Sequence, residues 1–149
     1  MTPSTTTTLK PDRGNVVLIR CGQGRDAFDI RDDYVVKGTA PTYYDSNGDP
    51  VRIRYDFQAV DRFYNSKTGK EYTSTHANTM DFENLETRQF EAHGVEYLLT
   101  IPGFGEVLLD AGKLIFDKKN NVTFESAKHQ ILGSDPDDME KFCEALAGT

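Results

Sequence analysis

Apolar and polar residues alternate along most of this chain with a period of two, the spacing of a strand with one buried face. Between Asn15 and Cys21, the side chains of Val17, Ile19 and Cys21 share a side. Residues 33–44 read as an extended stretch rich in Tyr, Val and Thr. Residues 51–64 carry the longest clean pattern. Val51, Ile53, Tyr55, Phe57, Ala59 and Phe63 face one way there, and Arg52, Arg54, Asp56, Gln58 and Arg62 the other. Further strands are predicted over 70–82, 86–92, 95–101, 106–110, 113–116 and 121–127. Turn signals separate them: residues 45–50 with an Asn-Gly pair, 65–69, His93-Gly94, 102–105, Ala111-Gly112 and 117–120. This spacing predicts a mainly β fold, an antiparallel meander closed as an eight- to nine-stranded barrel, because closure removes edge strands.

Helical spacing occurs once, at the end. Ser134 or Asp135 can cap it, Pro136 suits a first turn, and Asp137 and Asp138 suit the positive end of the helix dipole. Met139, Phe142, Cys143 and Leu146 follow the i, i+3, i+4, i+7 pattern. One short C-terminal α-helix over 135–147 is therefore expected. The remaining boundaries are a flexible N-terminal arm over 1–14, poor in apolar residues and rich in Thr, and a single domain over 15–149. Cys21 points inward from its strand and Cys143 from its helix, so a Cys21–Cys143 disulfide is expected. Such a link stabilises by roughly 4–5 kcal/mol in the chain-entropy picture. It implies an oxidising compartment, whereas two buried free thiols would fit a reducing one.

Charge narrows the partners. The net charge is −7, and no Lys/Arg run offsets it. Such a surface repels phosphate backbones, so nucleic acid and anionic membranes are poor partners. No apolar stretch approaches the ~20 residues that span a bilayer. The start is not expected to act as a signal peptide, and its Thr-rich character fits either a flexible lead-in or an exported chain whose signal has been removed. The expected location is extracellular or periplasmic. His76, His93 and His129 lack zinc-ligand spacing, and residues 45–49 lack the spacing of a calcium loop. No metal and no cofactor is expected.

The chemistry concentrates in "KEYTSTHANTMDF", residues 70–82. Tyr72, Met80 and Phe82 share a side with Ser74, His76 and Asn78. A hairpin about 65–69 would pair Phe63 with Tyr72, Asp61 with Ser74, Ala59 with His76, and Phe57 with Asn78. That register places a polar cluster inside aromatic walls, as in a small barrel holding a ligand. Tyr55, Phe57, Phe63 and Tyr72 would line the lumen. Ser74, His76 and Asn78 would orient an apolar or amphipathic small molecule. The same register permits an isomerase or cyclase with His76 as acid/base and Asp61 as its orienter. A third reading is a structural or interaction protein with a filled barrel. A bulge near Ala59–Val60 would instead turn the side of Thr73, Thr75 and Thr79 inward.

The stretches "HANTMDFENLETRQFEAHGVEYLLTIPGFGEVLLDAGKLIFD", "VTFESAKHQ" and "DDMEKFCEAL" make the second half similar to a group of small exported proteins of soil bacteria. A broader likeness is to lipocalin-like and allene-oxide-cyclase-like barrels, whose ligand or substrate sits in the lumen. The resemblance implies export and a β-barrel, and it implies no particular activity.

Overall fold

The computed structural model describes residues 3–132 and 139–148. Eight strands occur among them: β1 (Pro3–Thr8), β2 (Asp12–Cys21), β3 (Phe28–Tyr44), β4 (Pro50–Asn65), β5 (Glu71–Asn84), β6 (Phe90–Ile101), β7 (Gly105–Phe116) and β8 (Val122–Ser126). One α-helix among the described residues, α1 (Glu140–Leu146), follows. All strands belong to one antiparallel sheet, and β3 to β8 pair in chain order. β1 and β2 lie end to end along the same edge of β3, on residues 39–43 and 28–36 respectively. The Thr-rich stretch expected as a free arm thus supplies β1, in keeping with the fit of β-branched Thr to a pleated surface.

The expected closed barrel is corrected: the sheet stays open. β8 has only five residues and covers only the 113–116 end of β7, and no strand links it to β1 or β2. At one end the helix spans what the strands leave apart. α1 packs on β7, and its Cys143 is joined to Cys21 at the end of β2, with Cα atoms 5.6 Å apart. The disulfide therefore clasps two distant parts of an open sheet. The expected caps Ser134 and Asp135, and Pro136, Asp137 and Asp138, lie outside the described residues. Among the described residues no helix is long and apolar enough to cross a membrane.

Two expected turns are absent. His93-Gly94 and Ala111-Gly112 lie within β6 and β7, where Gly94 and Gly112 face each other. Their φ angles are +113° and +119°. The carbonyls of Asn78 and Ser126 occupy the space a Cβ would need. Glycine here lets the strands bend and pack closely without reversing, which sequence punctuation alone does not distinguish from a turn.

The apolar core sits at the helix end. Ile30, Phe63, Leu99, Ile101, Leu108, Phe142 and Leu146 pack there with the half-cystine Cys21. Phe63 meets Phe142 edge-on, with centroids 5.7 Å apart. Asn65 fastens the helix to the β4–β5 turn: its Oδ1 accepts from Lys67 N, and its Nδ2 donates to Leu146 O, both at 2.8 Å. On β7, buried Asp110 accepts from Ile131 N at 3.0 Å and Leu132 N at 2.6 Å, and lies 2.6 Å from His129 Nδ1. His129 Nε2 lies 2.8 Å from Ser126 O. Both ring nitrogens thus lie within hydrogen-bond distance of an oxygen acceptor. This strut holds the chain after β8 against β7.

Candidate ligand cavity on the inner face

The β4–β5 hairpin keeps the expected register at its turn and loses it beyond. Phe63 pairs with Tyr72, and Asp61 with Ser74. Ala59, however, pairs with Ala77, and Phe57 with Thr79. Val60 alone therefore opposes Thr75 and His76, a bulge that changes which alternate residues of β5 face inward. Ala77, Thr79 and Asp81 are buried on the inner face, while His76, Asn78 and Met80 are exposed. Ser74 stays buried and donates to Leu98 O at 2.5 Å.

The residues expected to form one site are thus divided. Phe63 and Tyr72 belong to the core beside α1. Ser74 is satisfied by backbone. Tyr55 and Phe57 lie at the opposite end of the inner face, stacked with centroids 5.5 Å apart. His76 and Asn78 are outside. Asp61 is 3 % exposed on the inner face, so it does not orient His76.

A cavity of about 220 Å³ opens on the inner face beyond the bulge. Val36, Phe57 and Val95 give it apolar walls, and Thr79, Asp81 and Glu96 supply polar groups. Glu96 reaches it because β6 carries a bulge of its own. Val95 pairs with Ala111 and Tyr97 with Asp110, so Glu96 is the unpaired extra residue. Aromatic contacts continue from Phe57 through Tyr55 to Phe90 at 6.2 Å, and from Phe90 to Phe116 at 6.4 Å. Tyr55 anchors this row by donating to Glu83 Oε2 at 2.9 Å.

Burial governs the electrostatics of these acids. Desolvation pushes the Glu96 carboxyl up to about 7, aided by Asp81, Asp110 and Asp61. Glu96 makes no hydrogen bond or ion pair among the described residues. Burial also pushes Asp81 up to about 6, against the opposing pull of the His93 N–H at 3.3 Å and the Thr79 hydroxyl at 3.4 Å. Deeper in, Asp32 and Asp61 lie on adjacent strands, Asp32 opposite Phe63 and Asp61 opposite Tyr34. Among the described residues no donor reaches either Asp32 oxygen or Asp61 Oδ2. Burial, then the neighbouring Asp61, pushes Asp32 up to about 8. Asp61 is raised by burial as well. Both carboxyls are therefore biased towards their neutral forms, Asp32 by burial and by Asp61, and Asp61 by burial.

Among the described residues no three His, Cys, Asp or Glu side chains are grouped to hold a metal ion. His93 lies 3.1 Å from Glu91 Oε2 and edge-on to Phe82. Asp45 binds its own turn, accepting from Asn47 N at 2.8 Å and Asp49 N at 3.0 Å. Sequence reasoning missed Asp32, Asp81 and Glu96. Asp32 was detectable, since it continues the phase of Ile30 and Val36. Asp81 and Glu96 depend on the two bulges. No family profile, curated protein or solved structure matches the chain.

Proposed function

We propose that this protein binds an amphipathic small molecule with a cationic head on the inner face of its open sheet. The observation that carries this reading is Glu96, directed by a bulge into a cavity with apolar walls and left without a hydrogen-bond or ion-pair partner among the described residues. A carboxylate desolvated in this way gains most from an organic cation, and the Phe57 ring adds a π face beside it. The apolar part of the ligand extends along Tyr55, Phe90 and Phe116. The paired cysteines, and the likeness of the second half to small exported proteins, support an oxidising compartment outside the cytoplasm.

Isothermal titration calorimetry with decyltrimethylammonium, below its micelle concentration, tests the reading. Phe57→Ala is expected to weaken binding by about tenfold. Phe57 is only half-buried and lies outside the core cluster, so the fold is retained. Equal affinity of the variant and the parent protein would place the ligand elsewhere.

A further inference from the structure

The same bulge that turns Ala77 and Thr79 inward opens a groove of about 790 Å³ on the opposite, outer face. Its floor is Val35 and Val60, a directly opposed pair on β3 and β4. Val60 is 45 % exposed, although it sits mid-strand in a sheet. Thr75 and His76 form one wall, from the bulge itself. Arg13 and Lys37 form the other, on β2 and β3.

The charge of this lining departs from that of the molecule. The chain carries a net charge of −7, yet the groove is lined by Arg13, Lys37 and His76 and by no Asp or Glu. Neighbouring outward arginines are neutralised. Arg54 pairs with Asp56 at 3.0 Å, and Arg62 pairs with Asp33 and Glu71. Arg13 and Lys37 have no such carboxylate among the described residues. Two unneutralised cations thus stand over an exposed apolar floor, with the imidazole of His76 available as a further donor.

We infer that this outer groove is a second binding site, and that its occupant is an anionic amphipath: a carboxylate head on an alkyl chain. The head lies between Arg13 and Lys37, where charge-assisted hydrogen bonds form. The alkyl chain covers Val35 and Val60, removing apolar surface from water. The site is independent of the inner cavity. The two faces sort ligands by the sign of the head, cations to the acidic interior and anions to this groove.

The test is an amide chemical-shift titration of the intact, disulfide-bonded protein with sodium decanoate, with decanol as the uncharged control. The expected result is perturbation at Val35, Val60, Thr75 and His76, and decanol binding about tenfold more weakly. The double variant Arg13→Gln/Lys37→Gln, on exposed side chains, should weaken decanoate by a similar factor and leave decyltrimethylammonium binding unchanged. Several results would overturn the inference. These are shifts confined to Phe57 and Val95, equal binding of decanol and decanoate, a double variant that binds as well as the parent, or no binding below the micelle concentration. Shifts at the groove that change with protein concentration alone would also do so, by assigning it to a second copy of the chain.

Discussion

Replacing both Cys21 and Cys143 by Ser is expected to lower stability by roughly 4–5 kcal/mol. The cysteines are 122 residues apart, so their bond restricts most of the unfolded chain. The folded state has a second dependence on it. No strand closes this sheet, and α1 is the element that joins β7 to the end of β2. Freed from Cys21, the helix keeps its packing of Phe142, Ala145 and Leu146 and the Asn65 hydrogen bond but loses its covalent tie to β2. Urea unfolding of the double variant, compared with the parent protein under oxidising and reducing conditions, measures this. Reduced parent and double variant should unfold together, well below the oxidised parent. Coincident transitions for all three would mean that the bond constrains nothing.

Asp32→Asn is expected to act in the other direction. A carboxyl raised to about 8 in the folded protein ionises at 3.8 when unfolded. The folded state therefore holds an extra proton between those values. The stability it contributes is complete below about pH 4 and declines by about 1.4 kcal/mol per pH unit as the pH rises towards 8. Asn has nearly the same shape as Asp and does not ionise. At pH 7 the variant should be more stable than the parent by on the order of 4 kcal/mol, and at pH 4 the two should be close. Urea midpoints across pH 4–8 provide the comparison. Parallel curves for parent and variant would show that Asp32 is already ionised and partnered in the native state.

The period-two pattern made the strands legible, because one buried face imposes alternation whatever the topology. It placed the β4–β5 turn, the Phe63–Tyr72 and Asp61–Ser74 pairs, and the inward aim of Cys21 and Cys143. It did not extend past Ala59. A bulge costs one residue and leaves no mark in composition, yet it inverts every side chain beyond it. His76 and Asn78 were thereby exchanged for Thr79 and Asp81. Gly94 and Gly112 resembled hairpin turns because glycine serves sharp bends and reversals through the same positive φ. Closure was not legible either. It depends on whether the last strand meets the first, and here a five-residue β8 and a disulfide-bonded helix take that place.

The inner cavity is tested most directly by carbon-detected NMR titration of the Glu96 and Asp81 carboxyls, with and without decyltrimethylammonium. In the free protein, Glu96 should titrate at about 7 and Asp81 at about 6. A bound cation favours both ionised forms, so saturating ligand should move both titrations down, and affinity should rise as the pH climbs through that range. Titrations unmoved by saturating ligand, or an affinity that falls with rising pH, would contradict cation binding on the inner face.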